Sequence, residues 1–372
     1  MRVICHIGHH KTGTTTLQAF LAQNFATLLR AGSLYPWTES LGAALAASRL
    51  LQGDRPQPPL LPMNFREGHN ALAFRMLADA LPNWKVPPYH RDLPHSRQML
   101  VTLRNQAATL APDTVILCSE VMSHFGMIAP ACIDRLRVEG LPMATDFRLW
   151  CTLRRPDEQV VSWHGQSVRF GQSPPPLSDP DRGVSFDSLH VDYRRVIEPW
   201  LQRIEGVTPF LRPYRETLGS GGSVEDFLSH SGIAAPSNLS AAPRLNVSRK
   251  PAVVSLLRLG NAELPRPFAV ELAEWLDART PDLTLASASE VELIGPRNRA
   301  RLCDHFRPIH DWLSQTTGRS AFFTDIDQMA SCNPVPEPVA LRQLLDQLAP
   351  LEADGPLSPE IRTFLKRQRD AA

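Results

Sequence analysis

The chain has 372 residues, of which 43% are hydrophobic, so it can bury a substantial core in one large or two modest domains. Its 39 lysines and arginines nearly balance 38 aspartates and glutamates, so the overall charge does not favour binding to nucleic acid. There is no run of 18 apolar residues and no charged-then-apolar leader, and we therefore expect a cytoplasmic protein without a membrane span.

The chain begins with the pattern strand, loop, helix. Residues 2–7 (RVICHI) are mostly apolar and β-branched, and a glycine-containing loop follows them. A helical stripe comes next, with Asn24 as its one polar break, and consists of Leu17, Phe20, Leu21, Phe25, Leu28 and Leu29. This order is typical of a phosphate-binding loop, because the N-terminus of a helix turns N–H groups and a positive dipole end toward an anion.

Two further strands are predicted at 114–120 (TVILCSE) and 147–156 (FRLWCTLRRP). Strands separated by helical segments favour an α/β fold with a central parallel sheet flanked by helices, whose ligands bind beyond the carboxyl ends of the strands. The weakly patterned, proline-rich stretch at about 38–112 is expected to be an insertion that walls the site. Cysteines 5, 118 and 151 lie within the apolar runs and are expected to be buried thiols.

The second half of the chain contains a proline-rich loop at 173–183, an amphipathic segment at 191–204 and a short strand at 208–214. Ser223 is the N-cap candidate of the helix at 223–233, and residues from about 251 onward are expected to be helical. We expect one domain at 1–335 and a C-terminal helical extension at 336–372.

The loop HIGHHKTGTTT, residues 6–16, has the glycine spacing of a nucleotide-triphosphate loop, but its lysine is displaced. A G-x-x-x-x-G-K-[ST] loop needs lysine directly after the second glycine, where this chain has Thr14. The lysine here is Lys11, inside the loop. A P-loop kinase or NTPase is therefore an alternative function, and a non-catalytic nucleotide-binding module is another.

The segment HKTGTTT resembles the 5′-phosphosulfate loop, P-K-[ST]-G-T-[ST], of sulfotransferases that use 3′-phosphoadenosine 5′-phosphosulfate (PAPS). The resemblance, closest to bacterial carbohydrate-type enzymes, implies a P-loop-like α/β fold and sulfuryl transfer from PAPS to a hydroxyl or amine of a carbohydrate or other small molecule. The residues that it implies for binding PAPS in this loop are His10, Lys11, Thr12, Gly13, Thr14, Thr15 and Thr16. Lys11 is also expected to be catalytic, because a fixed ammonium stabilises charge that builds on the leaving oxygen.

A second motif strengthens the resemblance. The family has a strand followed by R-x-P, with a helical serine eight residues after the arginine, and LRRPDEQVVSW supplies Arg154 and Ser162. The resemblance implies that both hold the 3′-phosphate; the alternative is a surface arginine near a helix start. The segments at 212–233 and 244–250 (RLNVSRK) also resemble late segments of these enzymes.

Sulfuryl transfer needs a base to take the proton of the acceptor. In the family this base lies at the end of the strand between the two PAPS motifs, which implies Glu120 here, although a carboxylate at a helix start is an alternative role. His124, one turn onward, is the second candidate, and His90 and His95 are remote ones. The histidines at 6, 9 and 10 have poor spacing for a metal, so no metal is expected.

Overall fold

The computed structural model describes residues 1–52, 61–241, 249–353 and 357–371. The chain divides into two compact units. The first comprises Met1–Arg154, Asp192–Leu245 and Pro308–Phe323, and the second comprises Arg155–Val191, Asn246–Arg307 and Thr324–Ala372. The insertion expected at about 38–112 lies in the first unit, and the extension expected at 336–372 lies in the second.

The first unit is built on a five-stranded parallel sheet. Its strands are β1 (Arg2–His6), β2 (Ser33–Leu34), β3 (Thr114–Cys118), β4 (Asp146–Leu153) and β5 (Thr208–Pro213). They are arranged in the order β2-β3-β1-β4-β5, so that β1 is central. The α/β class with a central parallel sheet flanked by helices is confirmed, and the strands predicted from apolar runs are correct. Parallel strands that are covered on both faces need such continuous apolar sequences.

Seventeen α-helices are found among the described residues. They are α1 (Thr14–Gln23), α2 (Phe25–Arg30), α3 (Ser40–Gln52), α4 (Met63–Arg66), α5 (Gly68–Ala80), α6 (Ser96–Leu110), α7 (Ser123–Ile128), α8 (Ala131–Arg135), α9 (Pro156–Arg169), α10 (Tyr193–Arg203), α11 (Tyr214–Gly219), α12 (Ser223–Ser231), α13 (Pro251–Glu263), α14 (Arg266–Arg279), α15 (Pro296–Thr317), α16 (Glu337–Leu348) and α17 (Pro359–Ala371). No helix of the described ranges is long and apolar enough to cross a membrane.

The apolar stripe that follows the loop forms two helices, α1 and α2, and its polar break is the junction between them. The Asn24 amide nitrogen donates to the carbonyls of Phe20 and Ser240, both at 3.0 Å, and its oxygen accepts from the Ser240 N–H at 2.7 Å. Asn24 therefore ends α1 by serving as a buried link to the chain near residue 240. The apolar members of the stripe other than Leu29 pack in the core with Ile4 and Ile116.

The prediction that Ser223 caps the helix at 223–233 is wrong. Helix α12 begins at Ser223 itself, and the cap residue is Gly222, whose φ of 124° is accessible to glycine. The Ser223 hydroxyl instead donates to the carbonyl of Gly13 at 2.9 Å. This side chain therefore contacts the glycine loop after β1 and does not satisfy its own helix.

The second unit is mainly helical and contains a feature that the sequence analysis missed. Strands β6 (Val291–Glu292) and β7 (Val335–Pro336) form a short parallel pair. Arg299 forms an ion pair with Glu292 at 2.9 Å and so fixes the start of α15 against β6. Two-residue strands carry too little apolar pattern to be recognised in a sequence. The loop predicted at 173–183 has no helix or strand, as expected.

Candidate functional site

The glycine loop connects the carboxyl end of the central strand β1 to the start of α1. Three of its residues have left-handed backbones: Gly8 with φ 52°, Lys11 with φ 68° and Gly13 with φ 89°. Across the turn, the Thr12 hydroxyl donates to the His9 carbonyl at 2.6 Å, and the His9 N–H approaches the Thr12 oxygen at 3.3 Å. The loop is therefore tightly wound, at the sheet edge where α/β proteins bind ligands.

Gly8 is required by its surroundings. A Cβ at this position would lie 2.5 Å from the Thr14 hydroxyl oxygen and 3.4 Å from the Glu120 Cα. The Gly8 carbonyl also accepts a hydrogen bond from the Cys151 thiol at 3.1 Å. The loop is thus fitted between the end of β3, which leads to Glu120, and strand β4.

Lys11 occupies the middle of the loop in a conformation that costs a non-glycine residue roughly 1–2 kcal/mol. Arg154, which follows β4, donates from Nη2 to the Lys11 carbonyl at 2.7 Å. A charge-assisted hydrogen bond of this kind contributes about 1.5–3 kcal/mol, enough to offset the backbone cost. Arg154 therefore holds the loop in the shape that presents Lys11.

Arg154 is itself held by two tyrosines. Its guanidinium carbon lies 4.3 Å from the centre of the Tyr214 ring, and its carbonyl accepts from the Tyr193 hydroxyl at 2.6 Å. Its Nε is buried and has no hydrogen-bond partner among the described residues, and the same is true of the Thr14 hydroxyl oxygen. Buried polar atoms without partners are rare in proteins, and here both belong to residues expected to bind an anion.

The remaining residues expected to bind PAPS lie in two places. Thr15 and Thr16 are half-buried in the first turn of α1, where the Thr16 N–H donates to the Gly13 carbonyl at 3.1 Å. Ser162 is half-buried on α9 of the second unit, and its role in holding a phosphate stays a prediction. Residues 244–248 of the segment RLNVSRK lie outside the described residues, as do residues 53–60 of the insertion.

Glu120 follows β3, and two buried amide side chains bind its carboxylate. Gln18 of α1 donates to Oε2 at 3.1 Å, and Asn70 of α5 donates to Oε1 at 3.2 Å. Asn70 comes from the insertion, so this stretch supplies one of the side chains that contact Glu120. Ser123 donates to the Glu120 carbonyl at 2.6 Å and so helps to fix the backbone turn that carries the carboxylate.

The pKa of Glu120 is raised to about 7, first by burial and then by the negative charge of Glu67. The hydrogen bonds from Asn70 and Gln18 act in the opposite direction and lower the pKa. A carboxylate with a pKa near 7 is suited to accept a proton at neutral pH. This geometry favours Glu120 as a base over the alternative role of offsetting nearby cations.

His124 lies one turn after Glu120 and contacts the loop. Its Nε2 is 3.3 Å from Nε2 of His10, and Trp84 packs edge-on against its ring at 5.2 Å. The pKa of His124 is lowered to about 4, by burial and then by His9, and burial also lowers the pKa of His10. Both rings are therefore neutral at pH 7, with one nitrogen donating to the other.

The two remote base candidates lie farther along the insertion. His90 is buried, with its Nδ1 2.9 Å from the Asn64 amide oxygen, and burial lowers its pKa to about 4. His95 caps helix α6 by accepting from the Arg97 N–H. Each histidine has a local structural contact of its own, so neither displaces Glu120 as the favoured candidate.

Sequence reasoning missed five residues that build the site. They are Gln18, Asn70, Tyr193, Tyr214 and Ser223. Gln18 could have been noticed because it directly follows Leu17 at the edge of the apolar stripe, where its side chain is fully buried. The others reach the loop, Glu120 or Arg154 from distant parts of the chain, and no local sequence pattern indicates such contacts.

Comparison with known proteins gives no relative from which a role could be transferred. The chain matches no protein-family model, and neither a curated protein nor a solved structure is significantly similar to it. The function must therefore be argued from the residues of the site themselves.

Proposed function

We propose that this protein is a PAPS-dependent sulfotransferase with the P-loop-like fold of that family. The observation that carries the proposal is the position of Lys11. It stands inside a phosphate-type loop, its carbonyl is bound by Arg154, and the loop packs against the Glu120 backbone. A lysine, a strand-end arginine and a carboxylate of raised pKa at one sheet edge are the groups that sulfuryl transfer requires.

PAPS would supply the sulfuryl group, which is attached to its 5′-phosphate. This phosphate is the leaving group, and it carries no β- or γ-phosphate. In the proposed reaction the Lys11 ammonium stabilises the charge that develops on the bridging oxygen, and the N-terminus of α1 faces the 5′-phosphate. Glu120 removes the proton of the acceptor while the oxygen or nitrogen of the acceptor attacks sulfur and the bond from sulfur to the bridging oxygen breaks. These residues act by position and charge.

The site fits such an anionic nucleotide in a specific respect. The Thr14 hydroxyl and the Arg154 Nε are buried without partners among the described residues, and an anion accepts from both kinds of group. In the same proposal, Arg154 and Ser162 hold the 3′-phosphate. A carbohydrate or related small molecule as acceptor and a cytoplasmic location are parts of the same proposal.

The test is calorimetric binding of the product nucleotide, 3′-phosphoadenosine 5′-phosphate, against ATP, each with and without magnesium. We expect the bisphosphate to bind without magnesium and ATP to bind much more weakly. The Lys11→Ala variant should abolish sulfuryl transfer from PAPS, and Lys85→Ala, which changes an exposed lysine of the insertion, is the control.

Magnesium-dependent ATP binding in the same experiment would instead favour the kinase or NTPase alternative. Retention of transfer by Lys11→Ala would contradict the role given to this residue. A protein that binds the bisphosphate but transfers sulfate to none of a broad panel of alcohols and amines would fit the non-catalytic module.

A further inference from the structure

Helix α5 contributes more than a wall to the site. Asn70 is 3% exposed, and each of its side-chain atoms that can form hydrogen bonds is used. Its oxygen accepts from the Ser119 hydroxyl at 2.7 Å and from Gln18 Nε2 at 3.1 Å. Its nitrogen approaches Glu120 Oε1 at 3.2 Å and Glu67 Oε2 at 3.3 Å.

This pattern fixes the orientation of the amide. The Ser119 hydroxyl donates to the Asn70 oxygen, so the Asn70 nitrogen faces the two carboxylates. A flipped amide would place the Asn70 oxygen against both carboxylates, which can only accept hydrogen bonds when ionised. Such a flip would break two donor contacts inside a buried network, where each unmet polar group costs about 1–3 kcal/mol. Asn70 therefore joins Glu67 and Glu120 in one defined geometry.

We propose that Asn70 is a positioning residue for the base Glu120, and that Glu67, through the same amide, sets the pH at which this base becomes active. That Glu120 acts as a base rests on the proposed function, whereas the coupling between the Glu67 and Glu120 carboxylates rests on the contacts of the site alone. It gives the insertion at about 38–112 a role in the chemistry, which no motif of the chain indicates.

The groups around Glu120 make Glu67 the charge that matters. Tyr35, Tyr89 and Cys118 also interact electrostatically with Glu120. Burial is the main cause that raises the pKa of each, and neighbouring acidic groups, Glu120 among them, raise it further. All three therefore stay neutral at pH 7. After burial itself, the charge that raises the pKa of Glu120 is that of Glu67.

The orientation of the Glu67 carboxylate is held by a neighbour. Arg66 Nη2 forms an ion pair with Glu67 Oε1 at 2.8 Å, and both side chains are largely buried. The second oxygen of Glu67 is the one that faces Asn70. The carboxylate of Glu67 is thus held between Arg66 and Asn70, one oxygen to each.

Two substitutions of opposite sign test the proposal. Asn70→Asp replaces the donor by a negative charge between the two carboxylates and should raise the pKa of Glu120, whereas Glu67→Gln removes a charge and should lower it. We expect the acid limb of the pH–kcat profile to move by about one pH unit upward in the first variant and downward in the second. Asn70→Asp should also reduce kcat by about 10²-fold, through misplacement of the base, with little change in KM for PAPS.

The titration of Glu120 can be followed without any activity. A folded-state pKa above the unfolded one gives stability at low pH that is lost as pH rises through the folded pKa. Subtracting the pH dependence of unfolding in Glu120→Gln from that of the wild type isolates this loss. The same subtraction in the Glu67→Gln background should place it at lower pH, even if Asn70→Asp does not fold.

The outcomes separate the two claims. The proposal is supported if the acid limb of the kcat profile and the stability transition move to higher pH in Asn70→Asp and to lower pH in Glu67→Gln. Transitions that stay in place overturn it, whether or not sulfuryl transfer occurs. If the wild type transfers no sulfate but the stability transitions move as expected, the proposed function fails, and the coupling of Glu67 to Glu120 survives.

Discussion

At the scale of single residues, burial shifts the pKa values of the two candidate bases, Glu120 and His124, in opposite directions. Both follow β3, both contact the loop region, and the sequence alone ranks them only by family resemblance. The pKa of Glu120 is raised to about 7, whereas that of His124 is lowered to about 4, although burial is the main cause in both. Burial disfavours the charged form of each group, which is the anion for glutamate and the cation for histidine.

This difference predicts the pH dependence of the proposed reaction. If Glu120 is the base, kcat/KM should fall below about pH 7, because the carboxylate becomes protonated there. Glu120→Gln should lower turnover about 10²–10⁴-fold while leaving affinity for the bisphosphate nearly intact. His124→Ala is the matched control and should keep the limb near pH 7. An acid limb near pH 4 that disappears in His124→Ala would transfer the role to His124.

At the scale of elements, the sequence predicted what local pattern determines. Strands β1, β3 and β4 are mostly apolar runs, and the groups at their carboxyl ends meet because parallel strands end at one edge. The contacts of Ser223 with Gly13 and of Asn70 with Glu120 join residues 210 and 50 positions apart, and only the packed chain reveals them. The error at Ser223 has the same origin, because a hydroxyl that would cap a helix locally found a tertiary partner.

The loop between β1 and α1 predicts a stability effect that is independent of function. Lys11 has a φ of 68°, which glycine adopts without cost and alanine does not. Lys11→Gly should therefore be more stable than Lys11→Ala by about 1 kcal/mol in chemical denaturation. At Lys85, which is exposed and is not among the residues of positive φ, the order of the two substitutions should reverse. The same order at both positions would show that the left-handed backbone of Lys11 is not a source of strain.

At the scale of the whole molecule, the two units allow the binding site to be located without a known acceptor. Lys11, Glu120 and Arg154 belong to the first unit, whereas Ser162 belongs to the second. The bisphosphate nucleotide at a hundred times its dissociation constant should stabilise the fold to which it binds by about 2.7 kcal/mol. Amides of β1, α1 and β4 should then exchange hydrogen more slowly when the nucleotide is present.

Exchange at α9 then tests the one assignment that reaches the second unit. If Ser162 holds the 3′-phosphate as the motif predicts, amides of α9 should also be protected, and protection there should be lost in Ser162→Ala. Adenosine 5′-phosphosulfate, which lacks the 3′-phosphate, is the matched ligand and should protect the loop after β1 but not α9. Protection confined to the first unit with both ligands would leave Arg154 as the 3′-phosphate group and remove Ser162 from the site. Protection confined to α9 and its unit would mean that the nucleotide binds elsewhere, because the loop that carries Lys11 would then be unaffected.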